Sequence, residues 1–136
     1  MQNDDQLRAL LASVRRIAVL GAHPDPARPA YYVPDYLHRQ GYHILPVNPV
    51  HAGETLWGET VRARLGDLGE RADVIDVFRR ADQLAAHVDD ILAARPALVW
   101  LQSGIRNEAV AHALEDAGVP VIQDRCLMVE HRRLFG

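Results

Sequence analysis

The stretch from Arg16 to Pro49 constrains the fold of this chain more than any other. It opens Arg-Ile-Ala-Val-Leu-Gly-Ala-His-Pro and closes His-Ile-Leu-Pro-Val-Asn-Pro, with a helical pattern between the two. Each apolar run ends in a polar loop, so the order reads strand, loop, helix, strand, loop. That is the front half of a nucleotide-binding βαβ unit. Gly21 is followed by Ala22 and His23 rather than by the glycines of a dinucleotide fingerprint, and the second run ends at Asn48 rather than at an acidic residue. The pattern therefore points to a nucleotide-containing ligand other than a plain dinucleotide.

At 136 residues, 49% of them apolar, the chain is long enough for one domain with a real core, and residues 1–136 are expected to form it. The fifteen basic residues are all Arg. Schiff-base and Walker-type lysine chemistry is thereby excluded, and any phosphate must be held by Arg, His, hydroxyls or backbone N–H groups. Arginines cluster only as the pairs Arg15–Arg16, Arg79–Arg80 and Arg132–Arg133, and the net charge is −3, so nucleic acid is not an expected partner. No apolar run reaches transmembrane length, and the opening Met-Gln-Asn-Asp-Asp-Gln is polar where a signal peptide is basic and then apolar. A cytoplasmic protein with no membrane partner is expected, in keeping with a single cysteine, Cys126.

Leu7, Leu10, Leu11 and Val14 recur at helical spacing after Asn3-Asp4-Asp5, predicting that residues 1–15 form an amphipathic helix packed on the domain. Apolar runs at 17–20, 44–47, 74–78, 98–101 and 119–122 read as strands, and the spacing predicts helices at about 31–40, 60–68, 81–94 and 106–117. Near-continuous apolar strands alternating with helices imply a three-layer, Rossmann-like α/β fold, a doubly wound parallel sheet of about five strands. Right-handed crossovers make 3-2-1-4-5 the natural order.

Ligands in such sheets sit beyond the carboxyl ends of the strands. After the first strand, Gly21 permits a sharp turn and Pro24-Asp25-Pro26-Ala27-Arg28-Pro29 leads into a helix whose first N–H groups, near Ala30–Val33, suit an anion, with Arg28 as counter-charge. The same stretch also reads as a rigid loop whose prolines only set the angle of the helix, and His23 as a solvated turn residue. After the second, Pro46-Val47-Asn48-Pro49 presents a neutral amide, with His51 close behind, that tolerates a phosphorylated ribose where an acid would repel it; an Asn-Pro turn without ligand is the alternative. Phe78 suits an adenine face and Arg79 or Arg80 a phosphate, or else they are core and solvent residues. Gln102-Ser103-Gly104-Ile105-Arg106-Asn107-Glu108 turns into a helix that Asn107 either caps or opens to ligand. Cys126 reads more readily as buried and inert than as a nucleophile, and seven histidines without a second cysteine give no zinc signature.

Taken together, five segments resemble the stand-alone CoA-binding domain family, single Rossmann-like domains similar to the amino-terminal domain of the succinyl-CoA synthetase α subunit. They are residues 17–24, 42–49, 73–80 (Asp-Val-Ile-Asp-Val-Phe-Arg-Arg), 99–108 and 124–131 (Asp-Arg-Cys-Leu-Met-Val-Glu-His), and the resemblance spans about 14–136. It implies that the first, second and fourth loops bind the nucleotide end of CoA, with Gly21, Asn48 and Gln102 at matching places. With the loop readings, the candidate cofactor-binding residues are Gly21, Ala22, His23, Pro24, Arg28, Ala30 and Tyr31, then Asn48, Pro49 and His51, then Phe78, Arg79 and Arg80, then Gln102, Gly104, Arg106 and Asn107. No catalytic residue and no metal is expected.

CoA or acyl-CoA binding in an accessory, carrier or sensor role is the reading these residues favour. The alternative is a nucleotide- or NAD(H)-responsive regulatory module, and a third reading is a small acyl-CoA-using enzyme. A protein partner or a second copy of the chain is compatible with each.

Overall fold

The computed structural model describes residues 3–136; residues 1 and 2 of the expected amino-terminal helical segment lie outside them. Helix α1, Asp4–Ser13, starts in a capping box between Asn3 and Gln6 and buries Leu7 and Leu11. The chain continues through β1 (Arg16–Leu20), α2 (Pro29–Arg39), β2 (His43–Val47), a short hairpin of β3 (Thr55–Leu56) and β4 (Glu59–Thr60), and β5 (Val74–Val77). It ends through α3 (Val88–Ala94), β6 (Leu98–Leu101), α4 (Glu108–Asp116), β7 (Val121–Ile122) and α5 (Leu127–Phe135).

Five parallel strands form one sheet in the order β2-β1-β5-β6-β7. The doubly wound class matches the sequence reading, while the order 3-2-1-4-5 needs correction: the run at 74–78, taken as the third strand, lies beside β1 on the side away from β2. The place outside β2 is held instead by one parallel bridge, Val47 to Arg62. There the Arg62 N–H donates to Pro46 O at 3.1 Å and the Asn48 N–H to Arg62 O at 2.8 Å. Pro46 explains why a full strand does not form, because it has no N–H to offer on that edge.

Side chains alternate across the sheet, so the core divides into two layers. Ile17, Val19, Ile44, Val74, Leu98 and Trp100 meet α1, α2 and α5 through Leu7, Val33, Leu37 and Leu127. Ala18, Leu45, Ile75, Val77, Val99 and Leu101 meet α3 and α4 through Ile91, Val110 and Leu114.

Three helix readings change. Residues 60–68 hold the end of the hairpin, the Arg62 bridge and a 3₁₀ turn at Leu65–Asp67 instead of a helix. The segment 81–94 begins as 3₁₀ turns, Ala81–His87, and becomes α-helical only from Val88. Helix α5 is the element the sequence reading missed; it buries Leu127, His131 and Leu134, and its Arg133 pairs with Asp4 and Glu130 at 2.7 Å each. No helix among the described residues is long and apolar enough to cross a membrane.

Candidate functional site

Every parallel strand delivers a loop to one end of the sheet, and these loops divide into two groups. The first joins the ends of β1 and β2. Gly21 turns the chain at φ +98°, and a Cβ there would stand 2.6 Å from the Phe78 carbonyl oxygen. Gly21 is thus required by the close approach of the chain after β5.

Asn48 is buried, and its amide is spent on the fold: Nδ2 donates to Ala22 O at 2.9 Å, and Oδ1 accepts from the Val50 N–H at 2.9 Å. It fastens the two loops to each other. Pro34, inside α2, has no N–H to give to the Ala30 carbonyl, and the His23 N–H takes that place at 3.3 Å, so the first loop closes onto the helix. The Tyr31 and Tyr32 N–H groups return to Arg28 O at 2.9 and 3.0 Å, which removes two of the donors expected to face an anion.

The two histidines of this group meet edge-on, with ring centroids 4.7 Å apart. His23 Nδ1 accepts from the Asp25 N–H at 3.0 Å, which places the neutral ring's proton on Nε2. Burial, then the charges of Arg28 and His51, lower its pKa below the ordinary histidine value. His51 Nδ1 lies 2.7 Å from Glu54 Oε2.

The second group gathers at the ends of β5, β6 and β7 beneath the start of α2, around an open cavity of about 500 Å³. Of the candidate residues, Arg28, Ala30, Phe78, Arg79, Arg80, Gln102 and Gly104 line it. Gly21, Ala22, His23, Pro24, Tyr31, Asn48, Pro49, His51, Arg106 and Asn107 do not. Tyr31 instead faces Trp57 of the hairpin turn, at 5.4 Å. Asn107 caps α4 through the Val110 N–H at 3.1 Å and donates to Ala81 O at 3.0 Å, while Arg106 pairs with Glu108 at 2.8 Å.

Pro29, Tyr32, Val33, Ala81, Ser103, Ile105 and Cys126 complete the cavity wall. The sequence held a partial signal for them: Ser103, Ile105 and Cys126 follow strand ends, and Pro29 and Val33 share a helix face at i, i+4 spacing.

Three guanidinium side chains and no acidic one line the cavity among the described residues. Arg80 is already paired with Asp82, at 2.9 Å, but Arg79 Nε is buried with no partner among the described residues. Gln102 is only 4% exposed. Its Oε1 accepts from the Leu127 N–H at 3.0 Å, and no hydrogen bond among the described residues uses its Nε2. Both unspent groups are donors, which suits an anionic or carbonyl-bearing ligand.

Asp76, two residues before Phe78 on β5, is fully buried and neither carboxylate oxygen has a hydrogen-bond partner. Burial drives its pKa well above the ordinary carboxylate value, so the neutral acid is favoured. Away from the loops, His43, Glu59 and Glu70 bring ligand-type atoms within 4.8 Å of one another. The contacts of His43 with Glu59 at 2.6 Å and of Arg16 with Glu70 at 2.8 Å account for this cluster without a metal.

Comparison with known proteins places the geometry in a family. The chain is 33% identical over 133 residues to the uncharacterized protein YneT of Bacillus subtilis (strain 168), covering 96% of this chain and 97% of that one. A solved Thermus thermophilus protein, cell-free ID.343, superposes with a TM-score of 0.97 at 58% identity, over 98% of this chain and all of that one. The dinucleotide-forming acetyl-coenzyme A synthetase 1 of Ca. Korarchaeum cryptofilum shares the fold, with a TM-score of 0.68 at 21% identity over 79% of this chain and 25% of that one. A family model described as CoA binding domain matches residues 15–132, which span β1 to α5 and hold both groups of loops. This chain, with its five strand-end loops in that order, belongs to the CoA binding domain family.

Proposed function

We propose that residues 1–136 act as one unit that binds CoA or an acyl-CoA, in the cytoplasm, as an accessory, carrier or sensor protein. The observation that carries this reading is the cavity: arginines and two unspent donors, no acidic side chain, and a wall that includes the apolar and aromatic surfaces of Phe78, Tyr32, Val33 and Ile105. A ligand with phosphates at one end and an amide-containing, largely apolar arm matches that mixture.

The cavity takes only part of a ligand of this size. The pantetheine arm lies within it, where Arg79 Nε and Gln102 Nε2 donate to its amide carbonyls. The pyrophosphate lies at the rim beside Arg28, and the adenosine end runs outward across His23, Pro49 and His51. Asn48 contributes by holding the first two loops at their spacing.

Thermal unfolding with and without ligand tests the reading. CoA should raise the midpoint, by the equivalent of ~2.7 kcal/mol at a concentration ~100 times its dissociation constant. Dephospho-CoA should raise it less, because the imidazoles of His23 and His51 at the adenosine end then lose a phosphate partner. Equal shifts would show that the ribose phosphate is not read. A larger shift with NAD would favour an NAD(H)-responsive module instead.

A further inference from the structure

Cys126 sits in the wall of the cavity, half-buried, and is the only thiol of the chain. Its position is held from both sides. The Trp100 indole N–H donates to the carbonyl of Arg125 at 2.8 Å, and Gln102 Oε1 receives the N–H of Leu127 at 3.0 Å. The residue starts α5, yet its side chain makes no capping hydrogen bond. The sulfur packs partly against the core, is placed with little freedom and makes no capping hydrogen bond.

A second observation shows that the same space is prepared for a ligand. Gln102 is one residue beyond β6, nine-tenths buried, and its amide is pinned at the oxygen by α5, leaving the NH₂ group without a protein partner at the cavity. Arg79 Nε, in the same wall, is itself buried and has no partner among the described residues. Burying such groups costs free energy unless a ligand completes them, and their acceptor on the ligand brings the rest of that ligand past Cys126.

We propose that the cavity presents Cys126 to the sulfur end of the bound pantetheine arm, and that the protein carries CoA as a mixed disulfide on this residue when it meets CoA disulfide. The proposal rests on the reading of the cavity as the site of that arm. In the exchange, the Cys126 thiolate attacks one sulfur of CoA disulfide. The bond from Cys126 Sγ to that sulfur forms, the original S–S bond breaks, and the second CoA leaves as a thiolate that takes up a proton. Cys126 is oxidised and one CoA sulfur is reduced, so no further oxidant enters. A half-buried thiol favours a disulfide that the cavity first binds over one that arrives from bulk solvent, which makes the modification selective for CoA.

Intact mass spectrometry of the reduced native protein, incubated with CoA disulfide or with glutathione disulfide, tests this. One CoA adduct per chain is expected, released by dithiothreitol and absent from a folded Cys126→Ser variant. It should form about tenfold or more faster than the glutathione adduct, a gain of the kind that effective concentration supplies. The urea-unfolded chain, where the cavity is gone, should lose that preference. Calorimetry with reduced CoA separates the two levels of the argument. If reduced CoA binds but CoA disulfide modifies the native protein no faster than glutathione disulfide, the inference is overturned and CoA binding stands. If reduced CoA does not bind, the CoA-binding reading falls and the inference falls with it.

Discussion

The loops after β1 and β2 and the loops after β5, β6 and β7 stand at the same end of one sheet, yet they treat their polar groups differently. In the first group the conspicuous residues serve the protein itself: Gly21 clears the Phe78 carbonyl, Asn48 ties Ala22 to Val50, and His23 holds the Asp25 turn. In the second, Arg79 Nε has no partner, Gln102 Nε2 makes no bond within the protein, and Cys126 has no cap to make, all on a common cavity. The difference teaches that a residue in the right loop for a ligand is informative only once its hydrogen-bonding capacity has been counted.

The largest test of that contrast is Gly21→Val. With a left-handed backbone and a Cβ forced to 2.6 Å from a carbonyl oxygen, the variant should lose about 3 kcal/mol or more of stability, read as a collapse of the thermal midpoint. A folded variant with an unchanged midpoint and no CoA binding would instead mark Gly21 as a ligand-facing residue. Asn48→Ala should come next, costing about 2 kcal/mol, since it strands the Ala22 carbonyl and the Val50 N–H. Denaturant unfolding measures it, and a loss of CoA affinity at constant stability would contradict the structural role.

Arg79→Gln should behave in the opposite sense. Stability should change by less than about 0.5 kcal/mol, while CoA affinity falls about tenfold, or ~1.4 kcal/mol. Calorimetric titration beside thermal melts decides it; a large stability loss would place Arg79 in the first class of residue.

The smallest effect at acidic pH, growing with alkalinity, belongs to Asp76→Asn. Burial raises the folded-state pKa of Asp76 above its ordinary 3.8, so the folded protein keeps a proton that the unfolded chain releases. Wild-type stability is therefore fully present below the unfolded value and declines as pH rises toward the folded one. The Asn variant removes this slope. Its midpoint should exceed the wild type's at about pH 8 and approach it at about pH 4. A gap independent of pH would show that Asp76 does not titrate in this way.

The chain's own residues determined much of this protein, where the information is local. Short, near-continuous apolar runs placed β1, β2, β5 and β6 to within a residue or so, and Leu7, Leu10 and Leu11 announced α1. Strand ends that open into Gly21, Asn48 and Gln102 marked the end of the sheet where the loops gather and the cavity lies. The absence of lysine limited phosphate recognition to other donors. Other features required the tertiary structure. The sheet order turned on Pro46 at an edge and on Arg62, which belongs to no apolar run. Helix α5 escaped because the middle residue of its buried stripe, between Leu127 and Leu134, is His131 rather than an apolar side chain. The sorting of the site was also hidden, because Asn48 finds Ala22 across 26 residues and Gln102 finds Leu127 across 25. A side chain's hydrogen-bonding capacity is spent on whichever groups the fold brings near, and that accounting, which consumed Asn48 and left Arg79 and Gln102 open around Cys126, exists only in three dimensions.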